Sequence, residues 1–102
     1  MQHPAMTPPL LTADLPGVGG RIRVRQPVGG YRVNVDTLLM AAAIEAPPGA
    51  RLMEAGCGVG AAMIAVLARS ANTTIVGIER DQNIAALARE NVALNAMSRR
   101  AD

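Results

Sequence analysis

At 102 residues with a formal charge of +2, the chain can build one small domain, and its charge balance singles out neither nucleic acid nor membrane as a partner. Half of the residues are apolar, yet Tyr31 is the only aromatic, so a core must be built from Ala, Leu, Val, Ile and Met. A single cysteine, Cys57, excludes an intrachain disulfide and suits a reducing cytoplasm; one cysteine and one histidine, His3, make no metal site, and no run approaches the ~18 apolar residues of a membrane-spanning helix.

Residues 1–18 hold four prolines and no basic cluster leading into an apolar run, which predicts a flexible Pro-rich leader rather than a signal peptide. Residues 19–50 form the next unit, a β-hairpin plus helix. Stretches 19–27 and 31–36 alternate apolar and polar, and Val28-Gly29-Gly30 stands between them as a turn. Asp36 is positioned to cap a helix from Thr37 to Ala46, which Pro47-Pro48-Gly49 stops. Arg21, Arg23, Arg25 and Arg32 fall on one hairpin face. Four Arg could bind RNA phosphate, but a solvated face opposite Ile22, Val24, Val33 and Val35 is the favoured reading.

Residues 51–102 read as a βαβα unit. Arg51–Ala55 is short and apolar at its centre, as a buried parallel strand should be, and Gly56, Gly58 and Gly60 follow at alternate positions. A helix runs from Ala61 to Arg69, with Met63, Ile64 and Leu67 on one face. Residues 73–78 are β-branched and apolar, a second strand that ends at Glu79, 19 residues beyond Gly60. Asp81 caps a last helix reaching about Met97, on which Ile84, Leu87, Ala88 and Leu94 form the expected buried stripe. Arg99 and Arg100 are expected to complement a helix carboxyl end.

A glycine-rich turn entering a helix lets a polar ligand lie against backbone amides, and an acid ~20 residues on can accept ribose hydroxyls. Gly56-Cys57-Gly58-Val59-Gly60-Ala61 also satisfies the dinucleotide fingerprint, so an NAD-binding Rossmann fragment stays open. Glu54, two places before the first glycine, and the third glycine at Gly60 favour another reading. The stretch Glu54 to Gly60 with Glu79 resembles motif I of the class I S-adenosylmethionine-dependent methyltransferases. The run from Gln26 to Leu39 is similar to the segment before motif I in bacterial tRNA adenine N6-methyltransferases, the methyltransferase small domain group.

The resemblance implies a truncated Rossmann-like methyltransferase fold of the α/β class: an amino-terminal β-hairpin and short helix, then βαβα with two parallel strands. It places Glu54, Ala55, Gly56, Cys57, Gly58, Gly60, Glu79 and Arg80 at the cofactor, with S-adenosyl-L-methionine bound and residues 51–102 forming the first half of that domain. It implies methyl transfer to an exocyclic amine, adenine N6 in tRNA, and hence an RNA partner. The alternative is a non-catalytic nucleotide-binding or interaction module. No catalytic residue can be assigned, because the family's Asn/Asp-Pro-Pro-aromatic tetrapeptide is matched neither at Pro8-Pro9 nor at Pro47-Pro48. Cys57 has no histidine partner nearby in sequence and reads as a small loop residue. The open edge of strand 51–55 offers a route to self-association.

Overall fold

The computed structural model describes residues 10–15, 22–29, 33–70 and 72–102. In chain order they form β1 (Leu10–Leu15), β2 (Ile22–Pro27), α1 (Val35–Ala43), β3 (Arg51–Ala55), α2 (Ala61–Arg69), β4 (Thr74–Ile78) and α3 (Gln82–Leu94). Strands β1 and β2 pair antiparallel, from Leu10 opposite Pro27 to Leu15 opposite Ile22, whereas β3 and β4 pair parallel, from Arg51 opposite Thr74 to Ala55 opposite Ile78. The expected α/β class and two parallel strands are both present.

The hairpin uses a different partner from the one expected. Strand β2 pairs with β1, which lies inside the stretch read as a leader, and not with residues 31–36; Val35 and Asp36 instead open α1. Both edges of β2 explain this. One edge is occupied by β1. On the other, the backbone of Arg23 and Arg25 is bonded to the side chains of Asn95 and Asn91 from α3, so no edge is left for a further strand. Asn34, rather than Asp36, caps α1, its Oδ1 accepting the Thr37 amide at 3.1 Å. Residues 1–9 and 30–32, which include the expected turn glycine Gly30 and Arg32, lie outside the described residues, as does Arg21.

Helix α2 is buried on every side from Ala61 to Leu67, not along one stripe. It packs against α1, β2, β4 and α3 together, which is the arrangement a short, uniformly apolar helix requires. Its carboxyl end is held by Arg100, which donates to the carbonyls of Leu67 and Ser70 and to that of Thr73 beyond, the role expected of this residue. Arg69 does the same for α1, donating to Ala42 at 2.8 Å, Ala41 at 2.7 Å and Ile44 at 2.5 Å.

The parallel sheet covers one face and leaves the other bare. Ile75 faces the helices, while Met53, 70% exposed, Val76 and Ile78 point away. Beyond β4, the chain returns alongside it, with the amides of Ile75 and Gly77 donating to Arg100 and Asp102 at 2.8 Å and Asp102 donating back to Ile75 at 3.0 Å. Among the described strands, β3 pairs only with β4, leaving its outer edge open.

Gly77 in β4 is a packing requirement. A Cβ there would lie 2.5 Å from Met63 Sδ, 2.8 Å from Cys57 Sγ and 3.1 Å from Cys57 Cβ. Both neighbours are buried, so Gly77→Ala is expected to cost about 1–3 kcal/mol through overpacking. Chemical denaturation would read this directly; an unchanged midpoint would show that the two sulfur side chains move aside freely.

Candidate functional site

The turn from β3 into α2 is built on three left-handed glycines. Gly56, Gly58 and Gly60 have φ of 70°, 58° and 91°, a region that side chains with a Cβ adopt only with strain. The spacing in the sequence thus has a conformational cause at each position. Gly60 also lets the loop close on α3, since a Cβ there would already touch Ala88 at 3.6 Å. The near side of the loop is anchored to β4: the amides of Gly56 and Cys57 both donate to the Ile78 carbonyl, at 2.7 and 3.0 Å. Past Gly60, the first-turn amides of α2 have no partner within the helix.

Glu79 locks this turn. Its Oε1 accepts the Gly58 amide at 3.0 Å and its Oε2 accepts the Asp81 amide at 2.9 Å. Each carboxylate oxygen can accept a second bond, so a diol could still be held while the loop stays latched. Asp81 in turn caps α3, accepting the amides of Asn83 and Ile84 at 2.9 and 3.2 Å.

Glu54 has the opposite environment. It is half-buried on β3 with its Oε1 fully enclosed and unbonded, and burial pushes its carboxyl up to about 7. It lines a cavity of about 410 Å³ with Met40, Ile44, Met53, Met63 and Val66. A second cavity of about 250 Å³ lies by Glu79, lined also by Cys57, Gly77, Arg89 and Asp102. Cys57 is buried, and its thiol pKa is raised by burial and then by the charges of Glu54 and Glu79. A thiol held protonated is a poor nucleophile.

One buried residue that contacts the loop escaped the sequence reading. Asn91 is completely buried, and its Nδ2 donates 2.8 Å to the carbonyl of Val59, in the middle of the glycine loop. The expected stripe gave that place to Leu94, which is 45% exposed. The available signal was the Asn91 and Asn95 pair, four residues apart and hence on one helix face.

A family model of protein-L-isoaspartate(D-aspartate) O-methyltransferases matches residues 26–100. The chain belongs to this methyltransferase family. Solved structures agree on the fold. A SAM-dependent methyltransferase from Geobacter sulfurreducens, in complex with S-adenosyl-L-homocysteine, is 23% identical with a TM-score of 0.57, over 69% of this chain and 28% of that one. A SAM-dependent methyltransferase from Agrobacterium tumefaciens is 14% identical with a TM-score of 0.63, over 87% and 30%. The [4+2]-cyclase SpnF is 32% identical with a TM-score of 0.57, over 67% and 25%. The chain therefore spans about a quarter to a third of the length of these structures. No curated protein matches.

Within this methyltransferase fold, the sequence-predicted residues separate into groups. Gly56, Cys57, Gly58 and Gly60 form the turn, Glu79 joins it through Gly58, and Glu54 and Ala55 end the strand that leads into it. Glu54 stands opposite Gly77 in the sheet register, and Ala55 opposite Ile78, so Glu54 near the end of β3 and Glu79 just past the end of β4 lie at the same end of the sheet. Arg80 is exposed and lines neither cavity. Among the described residues there is no cluster of three metal-ligating side chains, and no helix is long and apolar enough to cross a membrane.

Proposed function

We propose that residues 51–102 are the S-adenosylmethionine-binding part of a methyltransferase. The observation that carries this is the orphaned, enclosed Oε1 of Glu54 beside a turn of three left-handed glycines latched by Glu79. An enclosed acceptor without a donor fits an ammonium group, and the methionine amino group supplies one. Glu54 then holds the amino end, the backbone of Gly56 to Gly60 passes beneath the ligand, and Glu79 accepts the ribose hydroxyls with Ala55, Cys57 and Arg80 around it. When bound, S-adenosylmethionine provides a methyl group on a sulfonium, ready for in-line attack. The chain's own residues contribute position, which is where most of the acceleration of such a transfer arises.

For the acceptor, we infer an exocyclic amine, adenine N6 in tRNA, on the strength of the segment from Gln26 to Leu39. The family model supports a second acceptor, a protein carboxylate, through the reaction in its name. The single buried cysteine suits a cytoplasmic setting. SpnF, a cyclase by name, supports a third reading, in which the cradle serves a chemistry other than methyl transfer.

Calorimetry with S-adenosylhomocysteine, S-adenosylmethionine and NAD tests the cofactor. We expect the first two to bind and NAD to leave no heat; a folded chain that takes NAD, or none of the three, would overturn the reading. Labelled methyl transfer to bulk tRNA and to an isoaspartyl peptide, by the longest chain available, separates the acceptors.

A further inference from the structure

We propose that Asn91 is a positioning residue for the cofactor loop, acting through the Val59 carbonyl and tying the loop's shape to strand β2. This rests on the reading of the loop as a cofactor cradle. A single side-chain amide holds three backbone groups. Its Oδ1 accepts the Arg25 amide at 2.8 Å, and its Nδ2 donates to the carbonyls of Arg25 at 2.9 Å and Val59 at 2.8 Å. Both amide hydrogens are thereby used, in a residue with no solvent exposure, where an unmade bond leaves a desolvated group behind.

The position of Val59 gives this bond its consequence. It stands between Gly58 and Gly60, and a chain so rich in glycine has more conformations to lose than any other. Glu79 and the Ile78 carbonyl fix the loop where it leaves β3. Asn91 fixes it where it enters α2, with the fully buried Val59 side chain beneath. The amides of Gly58 and Gly60, which donate at 3.0 Å to Glu79 Oε1 and to the Cys57 carbonyl, are thus held from both sides.

The molecule contains its own control. One turn further on, at the cap of α3, Asn95 makes the same two-bond clamp on Arg23, at 2.9 and 2.7 Å, but its other side-chain hydrogen bond goes to the Asn91 carbonyl and not to the loop. The two asparagines clamp the same strand, Asn91 from the last turn of α3 and Asn95 from its cap. They differ in contact with the glycine loop and in burial, Asn95 being partly exposed.

The test compares Asn91→Ala, Asn91→Asp and Asn95→Ala in the full chain by amide hydrogen exchange without ligand and by calorimetry with S-adenosylhomocysteine. Asn91→Asp keeps the size and the acceptor for Arg25 and, buried and therefore protonated, at most one of the two donors, so it serves where the alanine variant unfolds. Exchange at the Gly58 and Gly60 amides is expected to rise about tenfold or more in the Asn91 variants and less than about twofold in Asn95→Ala. Affinity should fall about tenfold in the Asn91 variants alone. Equal loosening of the loop by Asn95→Ala, or none in Asn91→Asp, overturns the proposal. So does a chain that unfolds with Asn91→Asp but not with Asn95→Ala, which would make Asn91 a folding residue. If the exchange pattern appears but the parent chain binds no S-adenosylhomocysteine, the positioning role stands and the cofactor reading falls.

Discussion

Glu79→Ala is expected to weaken S-adenosylhomocysteine binding by about 100-fold or more, the largest loss of any single change at the loop. Two charge-assisted bonds to backbone amides disappear at once, those from Gly58 and Asp81, each worth roughly 1.5–3 kcal/mol when the acceptor is ionised. The ribose would lose its carboxylate in the same step. The loop effect and the ligand effect can be parted with Glu79→Gln. Its single oxygen can accept one amide, while the NH₂ meets the other donor head-on, so the latch is half broken without changing the side chain's size. The expected order of affinity is the parent chain, then Glu79→Gln, then Glu79→Ala, with the melting temperature following the same order. If Glu79→Gln binds as tightly as the parent chain, the carboxylate neither latches the loop nor holds the ligand.

The order of β3, α2, β4 and α3 could be read from the chain because its signals are local. The left-handed glycines, the Asp81 cap and the β-branched run at 74–78 each act within a few residues of where they stand. Strand β1 could not be read the same way. Its partner lies across residues 16–21, and the alternation in 31–36 matched it as a candidate until the clamp from Asn91 and Asn95 closed the remaining edge of β2. Hydropathy also ranks Leu94 above Asn91 for a core position, yet an amide that pairs with a strand's backbone can occupy the interior fully bonded. At the site, the spacing pointed to Glu79 as a ribose acid. It could not show that the same carboxylate already holds the Gly58 amide.

The chain is expected to be less stable at pH 8 than at pH 5, with Glu54 as a principal cause. Its carboxyl is raised by burial from the ordinary 4.5 to about 7. Between those values the folded chain holds a proton that the unfolded chain has released, so raising the pH through this window removes stability. The penalty is absent below 4.5 and complete above about 7. A displacement of that size corresponds to roughly 3 kcal/mol, and the partial exposure of the side chain reduces the share expected in solution to about 1–2 kcal/mol. Glu54→Gln removes the ionisation while keeping the shape. It should therefore stabilise the chain at pH 8, change little at pH 5, and flatten the difference. A variant with the same pH profile as the parent chain would show that the carboxyl is solvated. The ligand reads the same group from the other side. An ammonium placed against Oε1 favours the ionised carboxylate, so S-adenosylhomocysteine should bind more tightly at pH 8 than at pH 6 in the parent chain. In Glu54→Gln that gain should vanish, since no charge is left to develop.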